Sequence, residues 1–166
     1  MRTETIKVFS FDELKPDIQE KVIEEFRNNE LFMDYPFMNE YMNEYLNELL
    51  KENKIKGKAE LFYSLSYCQG DGCCFQGVFD WKQYEVGIQH RGNYYHSRSV
   101  EIIIKTRHGN EAKDEIYTQF RELFEKICDK IEKCGYSYIE AEQDSENIAE
   151  TIRINEYEFL ADGTMW

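Results

Sequence analysis

The sequence is short of several things, and each shortage narrows what the chain can be. Its longest apolar runs are no longer than stretches such as Ile102-Ile103-Ile104, far below the roughly 20 residues that cross a bilayer. No membrane-spanning segment is expected. Met1-Arg2-Thr3-Glu4-Thr5 lacks the apolar core of a secretory leader, so a cytoplasmic location is expected. Basic residues are scarce, 20 against 33 acidic ones, for a formal net charge of -13 at pH 7. A phosphate backbone is repelled by such a surface, so direct nucleic-acid binding over a broad face is not expected. The five cysteines are an odd number and read as reduced thiols or metal ligands instead of a disulfide framework. Ser64, Ser66, Ser97 and Ser99 have no G-x-S-x-G elbow around them, and no helix follows Gly70 and Gly72 as a phosphate-binding loop requires. Nothing here assembles a hydrolase or a nucleotide site, and the chain reads as a non-enzyme.

What is present belongs to a folded protein. Hydrophobic residues at 42%, aromatics at 15% and only two prolines describe one domain covering residues 1–166, large enough to bury a core without staples. Charge divides along the chain. Residues 1–57 carry 13 acids and 8 bases, residues 58–110 carry 5 and 6, and residues 111–166 carry 15 and 6. The acidic flanks read as helices and the neutral middle as sheet. Ile6 to Phe9 is a short strand. Ser10 or Asp12 caps a helix with Leu14, Ile18, Val22 and Phe26 on one face, Pro16 in its first turn and Asn28-Asn29 as its stop. Met38, Tyr41, Met42, Tyr45, Leu46, Leu49 and Leu50 mark a second helix over about residues 35–53.

Alternation then predicts a hairpin of Leu61 to Tyr67 with Cys73 to Phe79, a third strand around Val86, Ile88 and His90, and a fourth around Val100, Ile102 and Ile104. A long helix is expected from Glu111 to Cys134 with Gly135 as its C-terminal cap, followed by a short strand at 136–140. A last helix spans 145–155, and Tyr157 to Phe159 close the chain as a strand. The fold class is α+β: an antiparallel β-meander of four to five strands covered by three to four helices.

Two constellations carry chemistry. In Ser66-Tyr67-Cys68-Gln69-Gly70-Asp71-Gly72-Cys73-Cys74-Phe75, a four-residue turn sets Cys68 opposite Cys73 with Cβ atoms about 5 Å apart. Such a pair reads as half of a structural zinc site, completed by His90, His96 or His108, with Cys74 beside it and Asp71 as an oxygen ligand. The competing reading is small apolar thiols in a reduced core, and a metal-dependent enzyme at the Cys68–Cys73 hairpin is a third. The other constellation is a tetrad repeat, Met38-Asn39-Glu40-Tyr41, Met42-Asn43-Glu44-Tyr45 and Leu46-Asn47-Glu48-Leu49. It aligns Glu40, Glu44, Glu48 and Glu52 in one row that climbs about 6 Å per step. Like charges four apart weaken a helix by a few tenths of a kcal/mol per pair, about 0.2–0.5, so the row has no local stability rationale. Solvation is one reading of it. The other is a carboxylate array that competes for a basic groove, with Tyr35, Phe37, Tyr41 and Tyr45 as aromatic anchors.

The stretch Tyr63 to Phe75, together with Glu146 to Phe159 and Asp162-Gly163, resembles small phage and prophage proteins that carry an S-Q-G-D-G-x-x-F hairpin, some of them labelled antitoxins. Here Cys68 stands where serine is usual and Cys73-Cys74 follow the turn, which favours metal binding. A phage origin with an acidic surface is also similar to the small anti-CRISPR proteins, above all those directed at type II RNA-guided nucleases. The resemblance implies a non-enzymatic inhibitor that occupies a basic surface of the nuclease and blocks nucleic-acid loading. An antitoxin-like partner that neutralises a basic toxin is the alternative.

Overall fold

The computed structural model describes residues 6–29 and 35–166, with the side chains of residues 35 and 36 left out. Residues 1–5 of the leader reading and the side chain of Tyr35 lie outside the described residues. The chain divides into two compact units, one built from Met1–Tyr35 and Tyr138–Trp166, the other from Pro36–Ser137. The architecture is α+β, with four α-helices, a five-stranded antiparallel sheet and a two-stranded sheet among the described residues. No described helix is long and apolar enough to cross a membrane.

The first unit joins the two ends of the chain. Strand β1 (Phe9–Ser10) pairs antiparallel with β7 (Glu158–Phe159). A 3-10 turn (Phe11–Glu13) follows β1, locked by Ser10 and Glu13, whose carboxylate accepts from the Ser10 backbone N–H and hydroxyl at 2.9 Å each. Helix α1 (Pro16–Arg27) starts on its proline with Lys15 at the N-cap, not at the expected Ser10 or Asp12, because Ser10 caps the 3-10 turn that holds Asp12; it stops at Asn28 as expected. Asp144 caps α4 (Ser145–Ile154) by accepting from the N–H groups of Glu146 and Asn147. The apolar stripe read from the sequence is buried here: Leu14, Val22 and Phe26 pack with Ile148, Ile152 and Phe159. The strand expected at Ile6 is shorter, beginning at Phe9.

In the second unit, α2 (Tyr35–Glu52) buries Met38, Met42, Leu46, Leu49 and Leu50. Strand β2 (Ile55–Gly57), which the sequence pattern does not mark as a strand, pairs with the far end of β4 (Gly72–Trp81). Strand β3 (Glu60–Ser64) pairs with the near end of β4 on residues 72–76. One long strand thus takes two successive partners. On its other edge come β5 (Tyr84–His90) and β6 (Val100–Thr106), each antiparallel. Phe75, Phe79, Trp81, Val86, Ile88, Ile102 and Ile104 are buried. They meet α3 (Asp114–Glu142), with Phe75 and Phe124 rings 4.7 Å apart and Trp81 and Phe120 rings 5.0 Å apart.

Helix α3 differs from expectation at both ends. It starts three residues later than Glu111, because Glu111 bridges Lys105 and the Ala112 N–H reaches the Ile104 carbonyl at 2.9 Å, extending the sheet edge. It also runs through Gly135 to Glu142, so Gly135 is no cap and residues 136–140 are helix, not strand. A Cβ at Gly135 would lie 2.3 Å from Leu65 Cδ1 and 3.0 Å from Met42. The glycine is there for close packing, which outweighs its helix-weakening tendency of about 1 kcal/mol.

Candidate functional site

The hairpin tip is organised by one carboxylate. Register sets Tyr63 opposite Cys73 and Ser64 opposite Gly72, so the connection runs from Leu65 to Asp71 and not over four residues. Cys68 therefore sits exposed within the loop and does not face Cys73, a correction to the expected pairing. The reason is Asp71. Its side chain, turned inward and buried, accepts from the backbone N–H of Ser66 at 2.7 Å and of Cys68 at 3.0 Å. It also accepts from the Ser66 hydroxyl at 3.1 Å, the Cys68 thiol at 3.2 Å and the Tyr136 hydroxyl of α3. Two carboxylate oxygens offer about four lone-pair sites, and they are taken. The loop wraps its own anion, with Tyr67 in the left-handed region at φ 57°.

Burial pushes the Asp71 carboxyl upward, but the bonds from Tyr136, Cys68 and Ser66 together outweigh it and hold it well below the usual carboxylate range. Tyr136 is pushed up to about 12, first by burial and then by its bond to Asp71. A depressed folded-state pKa contributes stability that is present above the unfolded pKa and is lost as pH falls through the folded one. Asp71→Asn is accordingly expected to lower the thermal midpoint by roughly 5 °C at neutral pH. That gap to wild type should persist above about pH 5 and shrink below about pH 4. Circular-dichroism melts across this range check it; a gap that widens on acidification contradicts it.

The residues proposed as zinc ligands separate. Cys68 is in the loop, Cys74 is buried opposite Phe62, and the His90 Nε2 lies 3.0 Å from the Tyr94 carbonyl with its ring stacked on Phe62 at 5.3 Å. Cys73 opens instead into a cavity of about 480 Å³ shared with Asp71, His96, Cys128, Asp129 and Glu132. Of His90, His96 and His108, His96 is the one that lines this cavity with Cys73. Among the described residues no three His, Cys, Asp or Glu side chains stand together as a metal set. Burial pushes the thiols of Cys73 and Cys128 far up and that of Cys74 to about 11. Thiols held protonated in this way are poor nucleophiles. Glu132 is also pushed up, by burial first and then by Asp129, with His96 and Lys133 pulling the other way. The alternation of β4 hints at Cys73 facing inward, but its neighbours Cys128 and Glu132 come from α3 and no local pattern announces them.

The acidic row of α2 keeps the form its spacing predicts. Met38, Met42, Leu46 and Leu49 are buried, and Glu40, Glu44, Glu48 and Glu52 are all exposed. At 1.5 Å per residue the row extends about 18 Å along the helix. Ion pairs among the described residues join Lys21 to Glu25, Arg27 to Glu24, Arg91 to Glu101, Arg121 to Glu125 and Arg153 to Asp12. None uses a carboxylate of the row. Of the aromatic anchors, Phe37 and Tyr41 are exposed and Tyr45 is half-buried. No protein-family model, curated protein or solved structure matches the chain.

Proposed function

We propose that the protein is a non-enzymatic inhibitor that binds a cationic protein surface through the carboxylate row of α2. The observation that carries this reading is Glu40, Glu44, Glu48 and Glu52 standing exposed on one helix with no ion pair to a cation among the described residues. Four like charges in line raise the local negative potential, speed encounter with a basic groove and discriminate against acidic surfaces. The resemblance to anti-CRISPR proteins supplies the partner class: a type II RNA-guided nuclease, whose channel holds heteroduplex on a positive surface. Occupation of that channel keeps nucleic acid out.

Glu40→Gln, Glu44→Gln and Glu48→Gln combined should weaken binding to a purified type II nuclease by about tenfold and flatten its salt dependence, since exposed charge pairs are screened within a Debye length of about 8–10 Å. Affinity titrations at two salt concentrations measure both. Unchanged affinity and slope would remove the row from the account.

A further inference from the structure

The face of the β3–β6 sheet that carries Gln76, Val78 and Asp80 forms an open groove of about 950 Å³, walled on one side by Asn39 and Asn43 of α2. Across the strands, Val78 stands opposite Gly87 and Gly87 opposite Ile103. Val78 is 65% exposed and Ile103 is 48% exposed, so two apolar side chains flank a trough whose floor is a glycine. The fold does not need that glycine. A Cβ at Gly87 would meet only the Ile103 carbonyl oxygen, at 4.0 Å, and Gly87 is not among the residues with positive φ. Glycine inside a strand costs about 0.5–1 kcal/mol relative to alanine. A strand glycine that the protein's own packing does not call for leaves room for a ligand or another backbone to approach closely.

The walls say what kind of backbone. Asn39, Asn43, Gln76 and Gln89 supply side-chain amides. The Asn43 amide N–H₂ is engaged by Asn39, while the Asn39 N–H₂ and the Asn43 amide oxygen have no partner among the described residues. Such groups pair with the N–H and C=O of an extended chain, which a helix would already have satisfied internally. Inside the groove, Glu60 accepts from Gln76 at 2.6 Å, Glu101 pairs with Arg91, and Lys58 at the β2–β3 link contributes one cation. Just outside it, Glu40 and Glu44 follow Asn39 and Asn43 on α2 and are exposed.

We propose that this groove seats an extended segment of the partner protein in which apolar side chains alternate with lysine or arginine. The apolar side chains cover Val78 and Ile103, the segment's backbone crosses Gly87 and bonds the asparagine and glutamine amides, and its cations face Glu40 and Glu44. The cationic part of this assignment rests on the reading of the α2 row; the groove part does not.

Two synthetic peptides of equal charge test it, one alternating lysine with valine and one alternating lysine with glycine. They are titrated into the ¹⁵N-labelled full chain at about 50 mM and about 300 mM salt, where screening of exposed charges differs. The lysine–valine peptide is expected to bind about tenfold tighter, with the larger advantage at high salt, and to shift the amide signals of Val78, Gly87 and Ile103. Gly87→Trp, which fills the trough from an open surface position, should remove that advantage, and Ile103→Thr should reduce it, with the spectrum of each variant confirming its fold. Equal binding of both peptides with shifts confined to Glu40–Glu52, or Gly87→Trp binding as wild type does, overturns the groove and leaves the row standing. Absence of shifts with either peptide overturns both.

Discussion

Phe75→Ala is expected to destabilise the protein by about 3–5 kcal/mol, the range for truncating a large buried aromatic. Phe75 is fully buried, its ring 5.7 Å from Phe79 at 88° and 4.7 Å from Phe124 of α3. The change deletes an aromatic from the contact between sheet and helix and leaves a cavity that ring-sized neighbours cannot close. Against a total stability of roughly 5–15 kcal/mol, that loss leaves little margin. Val78→Ala three residues along the same strand should shift stability by less than about 0.5 kcal/mol, because Val78 is exposed. Urea denaturation measures both. Comparable losses at the two positions would contradict the in/out parity of β4.

Gly77→Val should cost about 3 kcal/mol. A Cβ there would stand 2.5 Å from the Lys58 carbonyl oxygen and 2.9 Å from the Phe79 ring. Lys58 belongs to the link between β2 and β3, the two strands that share one edge of β4. A backbone carbonyl at that position cannot rotate aside as a side chain would, so the strands must part or the ring must move. The φ of 151° adds to the difficulty for an L-residue. The expected readout is a lower urea midpoint with an unchanged slope. A midpoint within error of wild type would show that the junction of β2, β3 and β4 is looser than its distances state. Gly87, ten residues on and in the neighbouring strand, should behave in the opposite way and accept a large side chain without loss of fold. The pair separates a glycine required from within the molecule from one that the molecule leaves open.

Legibility of the chain tracked the range of the forces involved. The tetrads of α2 placed Met42, Leu46 and Leu49 inward and Glu40, Glu44 and Glu48 outward, and the structure keeps that arrangement because both sides follow from the helical repeat alone. Pro16 at the start of α1 and the alternation in β6 were readable for the same reason: each is decided within a few residues. Gly135 was misread as a cap because a glycine after an apolar stripe has that meaning locally; Leu65 and Met42, distant in sequence, give it another. The Cys68–Cys73 pairing failed similarly. Turn geometry alone favours a short hairpin, while Asp71 draws in two backbone N–H groups and the Tyr136 hydroxyl, and so lengthens the loop.

Composition and periodicity by themselves determined the α+β class, the order of the main strands and helices, the buried stripes and the exposed carboxylate row, since each is set by side-chain spacing against a fixed backbone repeat. Tertiary structure alone decided the two partners of β4, the run of α3 through Gly135, the gathering of Cys73, His96, Cys128 and Glu132 around one cavity, and the amide-walled groove over Gly87. These depend on which surfaces meet across long stretches of chain, and contacts of that kind leave no period in the sequence.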